Sequence, residues 1–254
     1  MANIRPSTNI QHSVLNEVLN NTRYIFCYLL VNSEIETMGN GMNKVLPGLY
    51  IGNFRDSKDK AQLTSNNITH IVSAHENAKE LLQEYKYHCV QAEDFSGQDL
   101  TPFFKDSAVF IHKARCEGGN VLVHCLAGIS RSTTLTVAYI MAVTDMEWTE
   151  ILKSVKCSRS VVDPNPGFKR QLNEFGKSEE LKALKRELKH DFNNTVFEDE
   201  NYLRQVIKNM AETEPKLLQE YEEGIDVAAK YCNAAPRTSH GNKPDDSNSD
   251  SAGL

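Results

Sequence analysis

Apolar residues in this chain fall in short runs separated by polar turns, and the period of each run assigns an element. Val45-Leu46-Pro47-Gly48-Leu49-Tyr50-Ile51-Gly52 places apolar residues on both sides of a Pro-Gly pair, which predicts two strands joined by a turn. Ile68–Ser73, Tyr87–Val90 and the run Val121-Leu122-Val123 are short and apolar, as buried strands are. Helical spacing lies between and after them. Asp56 to Leu63 predicts a short helix, Glu76 to Tyr85 a second, and Phe103 to Cys116 a third with Phe103, Ala108, Phe110 and Ile111 on its apolar face. Thr101-Pro102 reads as the start of that third helix, with Thr as cap and Pro at the first position, and Gly118-Gly119 as its end. Further helices are predicted over Ser132–Val143, over Glu147–Lys156 through Trp148, Ile151, Leu152 and Val155, and from Phe168 to Phe175. Glu93–Gly97 and Asp163–Gly167 read as loops. Strands alternating with helices, then helices alone, define an α/β domain: a central mixed, mainly parallel sheet flanked by helices, with a C-terminal helical extension.

The ends differ from the middle. Residues 1–37 are rich in Asn, Ser and Thr and read as a flexible extension, although Tyr24–Val31 is an apolar run. The main folded domain is expected over 38–176. Residues 177–233 are charged and helix-prone over Ser178–His190 and Glu198–Tyr231, with a weak stripe through Leu203, Val206, Ile207, Met210, Leu217 and Leu218, and read as a solvated helical extension. Residues 234–254 are polar and predict disorder.

Charge sharpens this division. The net charge is -6, carried by residues 186–254, while 38–185 is close to neutral. A nucleic-acid binder would show a basic face, and none is present. Six cysteines (Cys27, Cys89, Cys116, Cys125, Cys157, Cys232) are scattered without C-x-x-C pairs or zinc-like spacing, which fits free thiols in a reducing compartment. No run reaches transmembrane length. The expected location is cytoplasmic, and also nuclear.

The chemistry concentrates in one stretch, Val121-Leu122-Val123-His124-Cys125-Leu126-Ala127-Gly128-Ile129-Ser130-Arg131-Ser132. A strand leads into a tight loop, and a helix follows. The loop amides and the helix N-terminus together form an anion site. Cys125 among these donors is a ready nucleophile, and Arg131 can grip a phosphate through two oxygens. Leu126, Ala127, Gly128, Ile129, Ser130 and Arg131 line the substrate phosphate, with Gly128 allowing close backbone approach. Ser132 can donate to the Cys125 sulfur, and His124 faces away and hydrogen-bonds the loop backbone. A carboxyl on a separate loop must supply and then accept a proton. Asp94 is the choice, Glu93 is its neighbour, and Asp99 can instead help to start the following helix. Asn165, in a Pro-Asn-Pro-Gly turn, is placed to brace the loop. Lys156, Arg159, Lys169 and Arg170 bias the surface toward anions, or are simply solvated. No metal or other cofactor is called for.

The stretch Val121–Ser132 resembles the signature of the dual-specificity protein phosphatases, within the cysteine-based protein tyrosine phosphatase superfamily. Ala138-Tyr139-Ile140-Met141, Leu46–Gly52 and Asn165–Phe168 resemble further family segments, and Met38-Gly39-Asn40-Gly41-Met42 resembles the small atypical subgroup that includes the Jun-kinase-stimulating phosphatase. The resemblance implies a tyrosine phosphatase-like fold over residues 38–176, Cys125 as nucleophile, Arg131 as phosphate ligand and Asp94 as general acid. It implies phosphotyrosine and phosphoserine/phosphothreonine proteins as substrates, in kinase signalling. Membrane association is expected only where translation starts at Met38 and Gly39 is myristoylated. A non-catalytic phosphoprotein-binding module would lack some of Cys125, Arg131, Ser132 and Asp94, and all four are here. The loop carries no lysine for a highly anionic inositol headgroup, and the near-neutral domain disfavours RNA.

Overall fold

The computed structural model describes residues 41–234 except 193, 194 and 196. The expectations for residues 1–37, for Tyr24–Val31, for Met38-Gly39 and for 235–254 lie outside the described residues. Five strands form one sheet: β1 (Asn43–Leu46), β2 (Leu49–Gly52), β3 (Ile68–Ala74), β4 (Lys86–Val90) and β5 (Asn120–His124). Their order is β1-β2-β5-β3-β4. The β1/β2 hairpin is antiparallel around Pro47-Gly48, where Gly48 takes φ +80, and every other pairing is parallel. β5 lies between β2 and β3, and Val121, Leu122 and Val123 are fully buried. That burial is why the strand reads as an unbroken apolar run.

The helices are α1 (Lys60–Ser65), α2 (Phe104–Cys116), α3 (Arg131–Val143), α4 (Trp148–Ser158), α5 (Pro166–Phe175), α6 (Glu179–Asp191), α7 (Asp199–Thr213) and α8 (Pro215–Ala234). α3 runs through the centre of the domain and is buried from Arg131 to Ala142. Two of its buried hydroxyls are satisfied by the preceding turn: Thr133 Oγ1 donates to Ile129 O at 2.7 Å and Thr134 Oγ1 to Ser130 O at 2.8 Å.

Four local expectations need correction. The segment from Glu76 to Tyr85 is not helical. It joins β3 to β4 as an irregular loop of short turns, Ala78 N–H to His75 O and Tyr85 N–H to Leu82 O, with Leu82 N–H bound to the Tyr87 hydroxyl. Thr101 is not the cap of α2. A 3-10 turn over Thr101–Phe103 precedes the helix, and the Asp99 carboxylate accepts from both the Thr101 N–H and its hydroxyl. The region Asp56–Leu63 is split, a 3-10 turn at Asp56–Lys58 giving way to α1, which Asp59 caps. The long C-terminal helix divides at Glu214, because the residue before Pro215 is pushed out of helical backbone.

The helices after residue 177 are solvated on one face only, and the other face packs into the domain. Leu181, Leu184 and Leu188 of α6, Leu203 of α7 and Ile225 and Cys232 of α8 enter the same core as the sheet and α3. Arg115 of α2 and Asp199 of α7 form a two-pronged ion pair, 2.7 Å on each side, with both side chains almost fully buried. Arg115 also donates to the Tyr139 hydroxyl at 2.7 Å and to Pro47 O at 2.8 Å. Removing one partner of such a pair strands a buried charge. Asp199→Ala is therefore expected to lower the unfolding free energy in urea by about 3–5 kcal/mol. A loss below about 1 kcal/mol would mean that the pair is wet in solution.

Candidate active site

β5 delivers Cys125 to the C-terminal edge of the sheet, and α3 starts six residues later at Arg131. The Gly128 N–H donates to Cys125 Sγ at 3.1 Å, and Ser132 Oγ lies 3.3 Å from the same sulfur. The loop therefore curls over its own thiol. Gly128 holds φ +70, and a Cβ there would lie 2.4 Å from the Gly52 carbonyl oxygen. Only glycine fits both the left-handed backbone and the contact with β2.

Arg131 is buried. Its Nη1 donates to Glu76 Oε1 at 2.9 Å and to Ala92 O at 3.0 Å. Its Nε makes no hydrogen bond among the described residues and lies 3.6 Å from Asp94 Oδ2. Asp94 reaches the loop from the β4 side. Its Oδ1 accepts from Ser130 Oγ at 2.7 Å and from Asn165 Nδ2 at 2.9 Å. Asn165 caps α5 through its Oδ1, and its own N–H donates to Ser130 Oγ at 3.1 Å. Ser130 stands at the cap position of α3 but makes no side-chain cap bond, so the start of that helix stays open to an anion. The Asp94 loop is pinned by Gln171, which accepts from Leu100 N–H and donates to Gln98 O. A Cβ on Gly167 would lie 2.0 Å from Ser96 O, so α5 meets this loop through a bare backbone.

His124 sits as expected, its Nδ1 3.2 Å from Cys125 O. A carbonyl only accepts, so Nδ1 carries the proton. Burial pushes this imidazole down to about 4, and its Nε2 has no partner among the described residues. Arg159 is a correction. It is 5% exposed and neither solvated nor presented to substrate. It donates to Gly128 O, Ala127 O, Gly41 O and Asn43 Oδ1. Lys156 is also turned inward, onto Val162 O, and Lys169 is paired with Asp163. The structure thus brings together Cys125, Arg131, Asp94, Ser132, His124 and Asn165 with the loop Leu126–Ser130. It leaves Glu93 and Asp99 outside: the Glu93 N–H binds Gln98, and Asp99 binds Thr101. Sequence reasoning missed Glu76, whose segment it read as a helix, and Arg159, whose burial no local pattern signals. Among the described residues no cluster of three or more His, Cys, Asp or Glu could hold a metal.

A parallel-centred sheet ending in a thiol, an amide loop and an arginine at the next helix start defines the class of the cysteine-dependent phosphatases. The model of the dual specificity phosphatase catalytic domain matches residues 49–178, and the chain belongs to that family. Dual specificity protein phosphatase 22 of Homo sapiens is 48% identical over 170 residues, 67% of this chain and 92% of that protein. Dual specificity protein phosphatase 15 of Mus musculus is 50% identical over 170 residues, 67% of this chain and 72% of that one. The crystal structure of DUSP15 superposes with a TM-score of 0.60 at 48% identity, covering 62% of this chain and 100% of that chain.

Burial lowers the pKa of both His112 and His124 to about 4, below the ordinary histidine value of 6.5. The unfolded chain then binds more protons than the native state between those values, so stability falls as pH drops from about 6.5 toward 4. The fall is at most about 1.4 kcal/mol per histidine per pH unit. Urea midpoints measured across this window should decline, and His112→Gln should make the decline shallower. A flat profile would contradict neutral burial of these rings.

Proposed function

We propose that this dual-specificity protein phosphatase hydrolyses phosphotyrosine and phosphoserine/phosphothreonine in proteins through a cysteinyl-phosphate on Cys125. The observation that carries the assignment of roles is the pair of contacts on the sulfur, Gly128 N–H at 3.1 Å and Ser132 Oγ at 3.3 Å, inside the loop that Arg131 closes.

The substrate phosphate sits in the loop Leu126–Arg131, its equatorial oxygens held by backbone N–H groups and the Arg131 guanidinium. Cys125 Sγ attacks phosphorus in line with the ester oxygen. The S–P bond forms as the P–O bond breaks, and Asp94 gives its proton to the leaving oxygen. In the second step a water attacks phosphorus and passes a proton to Asp94, and the P–S bond breaks. The Ser132 hydroxyl stabilises the departing sulfur. Asn165 and Ser130 keep the Asp94 carboxyl beside the loop, and Glu76 fixes Arg131 from the side away from substrate. Every role is filled by a protein group, so chelators should leave turnover unchanged.

Chemistry also bears on the setting. A catalytic thiol works in a reducing compartment, and Cys89, Cys116, Cys125, Cys157 and Cys232 are all free. This supports a cytoplasmic, and also nuclear, enzyme acting on phosphoproteins of kinase signalling. Membrane attachment would require a chain that begins at Met38 and is acylated on Gly39.

Cys125→Ser should abolish turnover of an aryl phosphate while phosphate still binds. Retention of wild-type turnover would refute the mechanism. Asp94→Asn should lower kcat by about 100-fold on substrates with poor leaving groups and much less on a nitrophenyl ester. Equal losses on both would remove Asp94 as the proton donor.

A further inference from the structure

The carbonyls of the cysteine loop are each met by a donor, and those from Leu126 to Ile129 are met by donors from other parts of the chain. Cys125 O takes His124 Nδ1, and Leu126 O takes the Phe54 N–H at 3.1 Å. Ile129 O takes the Asp163 N–H at 3.0 Å. Between them, Ala127 O and Gly128 O are both served by Arg159, from Nη2 at 3.4 Å and Nε at 3.0 Å. The other end of the same guanidinium donates from Nη1 to Gly41 O at 3.2 Å and to Asn43 Oδ1 at 2.7 Å. One buried cation thus joins the apex of the loop to the start of β1. The fit is close, since a Cβ on Gly128 would come within 2.9 Å of Arg159 Nη2. The buried carboxylate of Asp56, bound to the Asn53 N–H at 2.8 Å, supplies the neighbouring negative charge.

We propose that Arg159 is a positioning residue for catalysis: it fixes Ala127 and Gly128 so that the loop amides keep the shape that binds phosphate, and its bonds to Gly41 and Asn43 make the start of β1 part of that support. The proposal rests on the reading of the cysteine loop as a phosphate cradle. Four acceptors lie around one planar fork, which an ammonium with three donors at a single point does not reproduce. The Gly128 N–H that touches Cys125 Sγ belongs to the residue whose carbonyl Arg159 holds. Loosening that residue displaces a donor from the position where charge develops, so the transition state suffers more than folding does.

The full chain is used for the test, with kcat and KM on p-nitrophenyl phosphate, Ki for inorganic phosphate, and melting curves for folded fraction. Arg159→Lys should lower kcat/KM about tenfold and raise the phosphate Ki. Asn43→Ala should do the same by about threefold, while Asn43→Asp, which keeps an acceptor for Nη1, should recover most of the loss. The Asn43 pair decides the matter if Arg159→Lys fails to fold. Wild-type kcat/KM and Ki in folded Asn43→Ala overturn the coupling to β1, and wild-type values in folded Arg159→Lys overturn the role of Arg159. An Asn43→Asp variant as impaired as Asn43→Ala also overturns the hydrogen-bond account. Failure of the cradle reading is distinguishable, because it would appear as full turnover in Cys125→Ser with wild-type Arg159.

Discussion

A loop that turns its N–H groups toward one point turns its carbonyls outward, into an interior where an unpaired carbonyl costs about 1–3 kcal/mol. The site is built around meeting that demand. The donors come from His124 on β5, from Phe54 after β2, from Arg159 and Asp163 after α4, and from the first turn of α3 through the Thr134 N–H on Ser130 O. Phe54, Arg159 and Asp163 are far from the loop along the chain. The sheet order brings them together, because β2 and β3 flank β5 and all three strands run parallel to one edge. Gly52–Phe54 then emerges on one side of the cysteine loop and His75-Glu76 on the other.

The polar side chains at the rim are shared with the same economy of groups. Ser130 would ordinarily cap α3, but its hydroxyl donates to Asp94 and accepts from Asn165 N–H. The helix start is left for an anion, and the proposed proton donor is held beside it. Arg131 commits Nη1 to Glu76 and Ala92 and keeps Nε without a hydrogen bond among the described residues. An arginine anchored at one nitrogen can grip an oxyanion with little further loss of side-chain entropy, which is the advantage of a pre-organised fork over a flexible lysine.

Much of this was legible in the residues. The β5–loop–α3 unit announced itself through an apolar run, a glycine and an arginine in register, and the alternation of strands and helices gave the α/β class. The helix α5 was legible from Phe168 onward, but its true start two residues earlier, at Pro166 with Asn165 as cap, reads as loop although it obeys ordinary capping chemistry. What was not legible depends on tertiary pairing. Glu76–Tyr85 has helix-forming composition, but local turns and the anchoring of Glu76 on Arg131 outweigh that propensity. Arg159 sits in a polar run and reads as surface, since its four acceptors lie on two segments more than thirty residues away along the chain. Both misses are side chains that support the loop, and such residues carry no motif of their own.

The acidic C-terminal part shows the same effect on a larger scale. Its net charge argues for solvation, but charge summed over a segment says nothing about the minority of positions that face inward. Leu181, Leu184, Leu188, Leu203 and Ile225 supply an apolar face, and burying it stabilises docking without choosing one register. The choice falls to Asp199. In any shifted arrangement Arg115, which is buried against Pro47 O and the Tyr139 hydroxyl, would lose its carboxylate partner. A buried pair of this kind adds little net stability over an apolar replacement, but it makes the wrong arrangements costly. Tyr139 lies on α3, the helix that carries Arg131 at its other end. The helices beyond residue 178 are therefore fastened to the element that closes the phosphate loop, and their packing is part of what holds that helix in place.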